Sequence, residues 1–489
     1  MFQVLNQVHF HETWIGCAQV LQEESERATQ RGSSRCMQMV AMAAGILGNA
    51  VRLTAHTFRG SSLLLSANSR VIKVPKFSQC LRICCSSSLA IEENAELTNT
   101  NRDELSSTFF TSSPSSDLHH IAVAKKRNLK DMTLPELQEW VESLGQKPSR
   151  AVMLWKWLYG NGKWAQSTSE IQGLNREFRA VLEKHADFGP VLVLQGIHHA
   201  RDGTRKLVFL VEEFGAQIET VLIPGPRNRV TVCVSSQIGC AMNCQFCYTA
   251  KMGLKGNLST AHIVEQLVVA ARMCSQELGL GLVTNVVFMG MGEPFQNINN
   301  VIRAAEIMTN GQGLHLSPRK VTISTSGLVP QIRTFCRTSN CALAVSLNAT
   351  TDEVRDQIMP VNRKYKLMDL LDCVREELVT HRPGEKVFFE YVLLKNVNDS
   401  TDDAKRLVDL VCGIPCKINL ITFNLHEGSL FEPTPLEDVL LFRDIVASSG
   451  IVVSIRHSRG DDQKMACGQL GSVTPRHPRR RNPEIHNLT

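Results

Sequence analysis

No stretch of this chain stays apolar for the ~18 residues that a membrane-spanning helix needs. The best candidate, Met39–Val51, is interrupted by glycines, so no membrane partner is expected. Cysteine is too dilute for a disulfide scaffold, with 16 in 489 residues; such scaffolds belong to small secreted chains. Charge of one sign is also scarce. A formal net charge of +6 allows a nucleic-acid partner without arguing for one. Acid is missing altogether from Arg27 to Ile91, where the charged side chains are all Arg or Lys and serine runs recur. An acid-poor, Arg- and Ser-rich leader is the composition of an organellar transit peptide, and the bland alternative is a tail with no address. The serine content favours a chloroplast over a mitochondrion. A start at Met37 or Met39 would sharpen the leader, and a start elsewhere would leave the protein in the cytoplasm.

Folded sequence is expected from about residue 125. Thr133-Leu-Pro-Glu136 combines a cap residue, a proline that a first helical turn accepts and an acid three residues on. Two more helices are expected, one opening near Pro148 and one over Asn175–His185. Their aromatic residues Trp155 and Trp157 read as core rather than as base-stacking platforms. The runs VLVLQGI, KLVFLVEE and QIETVLI, parted by polar or Gly-containing turns, predict a short antiparallel sheet. From Val230 onward, strand-like runs alternate with helical segments through six β/α units, with a last strand at Ile451–Arg456. That alternation predicts an α/β fold with a parallel sheet, open or curled into a partial (β/α)6 barrel. The expected division is a leader and linker over 1–124, a helical accessory domain over 125–188, a β connector over 189–229, the barrel over 230–470 and a basic tail over 471–489.

Four cysteines crowd into CVSSQIGCAMNCQFC: Cys233, Cys240, Cys244 and Cys247. The last three have the spacing C-x3-C-x2-C, which lets three thiolates from one loop meet at one centre. A structural zinc site would want a fourth ligand or a second paired knuckle, and no C-x2-C follows downstream. Three thiolates on a four-iron cluster leave one iron open for a ligand. Nearly every later strand ends in an unusual polar or glycine motif: Gly290-Met-Gly-Glu-Pro294, Ser324-Thr-Ser-Gly327, Ser346-Leu-Asn348 and Asn424. The C-terminal rim of a parallel barrel is where ligands bind. Cys233 and Cys467 are less decided. Each reads from its residues alone as either a reactive thiol or a small buried hydrophobe. Cys274, Cys336, Cys341, Cys373, Cys412 and Cys416 lack ligand spacing and read as packing residues.

Taken in order, CVSSQIGCAMNCQFC, GMGEP, STSG, SLNA, KINL and RGDDQKMACGQL resemble the RlmN family of radical S-adenosylmethionine enzymes, dual-specificity RNA methyltransferases that make 2-methyladenosine. The resemblance runs from about Leu129 to Leu470. It implies that Cys240, Cys244 and Cys247 bind a [4Fe-4S] cluster, whose open iron chelates S-adenosylmethionine, with two such molecules used per turnover. It implies that Gly292 and Glu293 approach the cofactor's amino group, and that Ser324, Ser346, Leu347, Asn348 and Asn424 complete its pocket. Some relatives carry His in place of Asn348. By the same resemblance Cys467 takes a methyl group from one S-adenosylmethionine, a second generates the radical that activates that methyl, and the resulting carbon radical adds to the base. Cys233 then attacks the Cys467 sulfur, and the disulfide formed releases the product. Glu219 matches the family's proton-accepting glutamate, although a longer Pro224–Arg227 segment leaves a surface carboxylate as its alternative. The implied partners are ribosomal RNA (the peptidyl-transferase region) or transfer RNA (the adenosine beside the anticodon) and an unidentified electron donor, with the protein acting as a monomer. Two rivals remain: a Cfr-like C8 methyltransferase, and a non-catalytic RNA-binding or ribosome-assembly factor that keeps its cluster for structure.

Overall fold

The computed structural model describes residues 126–160, 162–276 and 278–471. The leader expected over 1–124 and, apart from Gly471, the tail expected over 471–489 lie outside these. Strand β1 (Arg127–Asn128) opens the described chain, followed by helices α1 (Leu134–Ser143), α2 (Ser149–Tyr159) and α3 (Arg176–His185). The expected start of α1 is present as a capping box: Thr133 N–H donates to Glu136 Oε2 at 2.7 Å, and Thr133 is itself the cap. Asn175 caps α3 by accepting from Phe178 N–H. Trp155 is fully buried, while Trp157 is half-buried with Lys163 stacked 4.4 Å over its ring.

Strand β2 (Ala186–Asp187) pairs with β1. Three antiparallel strands follow, β3 (Val193–His199), β4 (Arg205–Val211) and β5 (Ala216–Gly225), and β5 turns back into β6 (Arg229–Cys233). They do not form a sheet of their own. The sheet has ten strands, and β3–β5 extend one edge of the parallel set that starts at β6. Hairpin β7 (Gln237–Gly239) and β8 (Leu254–Asn257) then brackets the cysteine loop. The parallel set continues through α4 (Thr260–Gln276), β9 (Leu282–Phe288), α5 (Ile298–Thr309), β10 (Val321–Thr325), α6 (Val329–Thr338), β11 (Ala342–Ser346), α7 (Asp352–Ile358), α8 (Leu367–Thr380), β12 (Val387–Leu393), α9 (Thr401–Leu410), β13 (Cys416–Thr422), α10 (Leu436–Ser448) and β14 (Val452–Arg456). Every neighbour pair from β6 to β14 is parallel, and among the described residues β14 pairs with β13 alone, so the described sheet is open at that edge.

Strand periodicity explains where the site lies. Side chains alternate between the two faces of a strand. Val230, Val232, Val286, Phe288, Phe389, Tyr391, Ile418 and Leu420 are buried in the core between sheet and helices. The alternate positions Thr231, Cys233, Asn285, Phe388, Glu390, Asn419 and Arg456 line a cavity inside the curled sheet. Polar and ionisable residues there would be costly in a packed core. Their presence marks the inner face as a chamber.

The helical segment is fixed to the barrel by a buried ion pair. Lys130 Nζ lies 2.5 Å from Glu265 Oε2 on α4, with both side chains under 5% exposed, and also donates to Gly189 O. Asp131 accepts from Ala261 N–H at the start of α4, and Arg303 on α5 pairs with Glu136.

Candidate active site

The cysteine loop is shaped by close backbone packing. Gly239, at φ +74°, would place a Cβ 1.8 Å from Gly253 O, so only glycine fits where β7 meets β8. Cys240 N–H donates to Gly253 O, Cys247 N–H to Cys244 O, and Tyr248 N–H to Gly468 O in the segment that carries Cys467. The three thiols line one cavity of about 150 Å³ with Gly290, Gly292, Glu293, Ser324, Ser346, Asn348 and Asn424. Burial pushes the Cys240 thiol up to about 12 and the Cys244 and Cys247 thiols above their ordinary range, and Cys240 and Cys244 also feel a neighbouring thiolate. Three desolvated thiolates side by side are unfavourable alone and become favourable around a multivalent cation. That donor set fits an iron–sulfur cluster.

The turn after β9 is built against this loop. Gly292, at φ +100°, would place a Cβ 2.5 Å from Gln237 Cβ, and Gln237 Oε1 accepts from Glu293 N–H at 2.8 Å. Glu293 is buried; its Oε1 accepts from Phe295 N–H and its Oε2 from Ser326 N–H. Burial pushes its carboxyl above the ordinary carboxylate range, toward the neutral form, which a cationic amino group in the cavity would oppose. Asn348 takes the left-handed conformation (φ +57°); its Oδ1 accepts from Val392 N–H. Leu347 is the expected pocket residue that the structure does not bring to the cavity. It is fully buried in the core, its N–H donates to Glu390 O and its carbonyl accepts from Arg355. Arg355, fully buried, also reaches Ser326 O and Ser346 O and so ties the ends of β10 and β11 together.

Cys467 stands between two chambers. It lines the cavity that the three clustered cysteines share and also the neighbouring cavity of about 570 Å³, to which Cys233 contributes. The loop is held by Asn424, whose Nδ2 donates to Cys467 O at 2.9 Å. Cys233 is the last residue of β6 and is 8% exposed. Burial, helped by a neighbouring Cys467 thiolate and opposed by the Arg456 guanidinium, pushes its thiol up to about 12. The Cys467 thiol is likewise held above its ordinary range by its surroundings and lowered by Arg456. Both cysteines are free thiols in this structure. Of the six cysteines read as packing residues, five are buried and Cys412 is exposed; Cys412 lies just beyond α9, where the chain leaves the core.

Two residues of this region carry no sequence motif. Glu390 and Arg456 line both chambers, and Arg456 Nη1 donates to Glu390 Oε2 at 2.9 Å. Asn419 Nδ2 donates to Glu390 Oε1 and fixes the carboxylate plane. A charged residue in the middle of each of two apolar strand runs, FFEYVLL and VVSIRH, was the available signal. Glu219 lies two residues before Val221, the cross-strand partner of Cys233, and so shares its sheet face. Its carboxylate pairs with Lys206 at 3.1 Å and accepts from Gly471 N–H at 2.9 Å, so it contacts the end of the Cys467 segment. The residues Pro224–Arg227 do not disturb this register, because the extra length is taken up in a turn where Arg227 and Asn228 adopt φ of +60° and +52°.

Comparisons with known proteins agree with this geometry. The radical SAM superfamily model matches residues 234–408, and the model of the ribosomal RNA large subunit methyltransferase N-terminal domain matches 127–187. A dual-specificity RNA methyltransferase RlmN of Syntrophobacter fumaroxidans is 44% identical over 346 residues, 70% of this chain and 97% of that protein. The chain belongs to the RlmN family. The RlmN protein of Geobacter sulfurreducens is 45% identical over 343 residues, covering 70% of this chain and 91% of the relative. The crystal structure of a radical SAM methyltransferase from Sphaerobacter thermophilus superposes with a TM-score of 0.65 at 38% identity, over 70% of this chain and 98% of the other. This RlmN-family protein is therefore an RNA methyltransferase with the radical SAM fold, and its cofactors are a [4Fe-4S] cluster and S-adenosylmethionine.

Proposed function

We propose that this enzyme methylates C2 of adenosine in ribosomal RNA, transfer RNA or both, through a carbon carried on Cys467. The observation that carries the reading is the position of Cys467 in the wall between the cofactor chamber and the Cys233 chamber. Cys240, Cys244 and Cys247 would hold the cluster, and Gly292, Glu293, Ser324, Ser346, Asn348 and Asn424 would surround S-adenosylmethionine. Bound there, the two cofactors supply an electrophilic methyl group and one-electron chemistry, which the electron-poor C2 of adenine requires.

The chain's own residues do the rest. Cys467 receives the methyl on sulfur from one side and delivers that carbon to the base from the other. Arg456 lies beside both cysteines and favours their thiolates. Once the base is tethered to Cys467 through carbon, Cys233 attacks the Cys467 sulfur. The sulfur–carbon bond breaks, the released carbon takes up a proton to complete the methyl group, the odd electron left by radical addition would return to the cluster, and a Cys233–Cys467 disulfide remains as the methylated adenosine leaves. Glu219, on the Cys233 face, is the group proposed to take the C2 proton, and its contact with Gly471 couples it to the Cys467 segment. The Lys206 ammonium, 3.1 Å away, holds that carboxylate in place.

Mass spectrometry of nucleosides from RNA treated with reconstituted enzyme tests the reading. 2-Methyladenosine is expected, and 8-methyladenosine would overturn the C2 assignment in favour of the Cfr-like alternative. We further infer that the protein acts as a monomer, takes its electron from an external donor, and resides in the chloroplast. The composition of residues 27–91 supports that address, and a fluorescent fusion to residues 1–125 that stays in the cytoplasm would refute it.

A further inference from the structure

The catalytic cycle above ends with an oxidised enzyme, and the structure bears on how it is reset. Cys467 reaches both chambers, but Cys233 lines only the larger one. Cys467 is exposed while Cys233 is 8% exposed at the end of β6, so a reductant that attacks the Cys233 sulfur comes through that chamber once the RNA has left. A second cavity of about 470 Å³ adjoins it, and Thr231, Asn285 and Lys320 line both. Among the described residues the ionisable groups of this outer mouth are Arg227, Arg229 and Lys320, with no acid beside them. Arg319 adds a further cation to the chamber wall, and the chamber's one carboxylate, Glu390, is already paired with Arg456. Arg227, Arg229, Arg319 and Lys320 are all exposed, and none forms an ion pair among the described residues. A cleft lined by one sign of charge concentrates small ions of the other sign.

We propose that this cationic mouth is a docking site for a small anionic thiol that reduces the Cys233–Cys467 disulfide. The inference rests on the disulfide-forming step proposed above. A protein dithiol would instead have to reach the exposed Cys467, and the thiol that enters by the Cys233 chamber is a small one. The thiolate of the first small thiol attacks Cys233 Sγ. The Cys233–Cys467 bond breaks, the electron pair goes to Cys467 Sγ beside the Arg456 guanidinium, and that sulfur takes a proton. A second thiolate attacks the small-molecule sulfur of the mixed disulfide and releases Cys233. Two thiols are oxidised to one disulfide, and the two cysteines are restored.

The test uses full-length reconstituted enzyme after one turnover with RNA. The Cys233–Cys467 disulfide is first scored by peptide mass without reductant. Its absence at that stage would overturn the resolving step, and diamide oxidation would then supply the same bond for the second stage. Reduction is followed by alkylation and mass, with glutathione, 2-mercaptoethanol and cysteamine at equal thiolate concentration. At low salt glutathione should be faster than neutral 2-mercaptoethanol by about tenfold and cysteamine slower, with the spread collapsing as salt screens the cleft. In Arg229→Gln/Lys320→Gln the glutathione advantage should shrink to about twofold while the 2-mercaptoethanol rate holds. Equal rates for the three thiols in the unmodified enzyme would overturn the proposal without any variant. So would a glutathione advantage that survives in the double variant, or reduction by a thioredoxin-type dithiol alone. A double variant that loses RNA affinity with its thiol preference intact would assign these cations to the nucleic acid instead.

Discussion

Two buried ion pairs in this protein have similar chemistry and different surroundings. Lys130–Glu265 closes the seam between the helical segment and α4, with side chains 4% and 1% exposed. Arg456–Glu390 spans the inner face of the sheet, where Glu390 is 5% exposed but Arg456 retains 33%. The first faces packed side chains, and its ammonium also bonds the Gly189 carbonyl. The second faces two chambers and lies near two thiols whose ionisation it alters. A buried ion pair is weak evidence for stability in itself, because desolvation offsets much of the attraction. The open side of Arg456 distinguishes the two. A charge that only joins elements can be enclosed, whereas one that acts on reacting groups must remain accessible to them.

The largest expected effect lies on the chamber side. Cys467→Ala should lose RNA methylation by on the order of 10³-fold or more, as expected when a covalent nucleophile is removed. The cluster absorbance should persist, because Cys240, Cys244 and Cys247 are untouched. Residual methylation of adenosine by this variant would sink the carbon-carrier mechanism. Next comes a direct break of the comparison. Lys130→Met should lower unfolding stability by about 3–5 kcal/mol, the cost of leaving one buried charge unpaired, with the rate per folded molecule unchanged. Lys130→Met/Glu265→Leu should recover most of that loss. Glu390→Gln should instead depress single-turnover methyl transfer in molecules that are still folded. If it moved only the melting temperature while Lys130→Met slowed chemistry, the two pairs would have been assigned the wrong way round.

The pH dependence sharpens the same point. Cys467 is exposed as a residue, but the desolvation of its sulfur in the chamber wall holds the thiol above the ~8.5 of a free cysteine, with Arg456 opposing. Formation of S-methyl-Cys467 should therefore climb as pH rises toward that raised value, by about tenfold per unit well below it. Arg456→Gln removes the opposing charge, so its profile should shift to higher pH; Arg456→Lys should shift less. Peptide mass spectrometry of Cys467 after exposure to S-adenosylmethionine reads both. Coincident profiles would mean that Arg456 does not act on the thiol.

Local signals carried far in the sequence where neighbours in space were neighbours in chain. Thr133 with Glu136, the strand-like runs of the barrel and the three clustered cysteines were legible because each is set by spacing of a few residues. Helix α6 carries Pro330 in its first turn, a position that proline suits. The grouping of Leu347 with Ser346 and Asn348 followed the motif rather than the pleat. Strand alternation turns Ser346 inward and Leu347 into the core, and the left-handed turn at Asn348 restores the inward direction. Glu390 and Arg456 were harder to see, since each looks like a stray charge until β12, β13 and β14 are placed side by side. Continuation of β3–β5 into the barrel sheet depends on the β5–β6 hairpin, and turn length alone does not fix which sheet receives it.

The smallest effect tests whether the seam side is as purely structural as its closed ion pair suggests. Thr133 caps α1, and its backbone N–H and hydroxyl both reach Glu136 Oε2. Thr133→Ala removes the hydroxyl but leaves the backbone bond, so a loss of about 1 kcal/mol is expected. Glu136 also meets Arg303 on α5, so its own removal would loosen the seam as well as the helix end. Glu136→Gln should therefore cost more than Thr133→Ala. Combined with Lys130→Met, either change should be more or less than additive only if the cap and the seam move together, since independent sites add to within about 0.5 kcal/mol. Equilibrium unfolding of the two double variants decides this. Coupling above that margin for Glu136→Gln but not for Thr133→Ala would place Arg303 as the link, because it is the contact that the threonine substitution leaves intact.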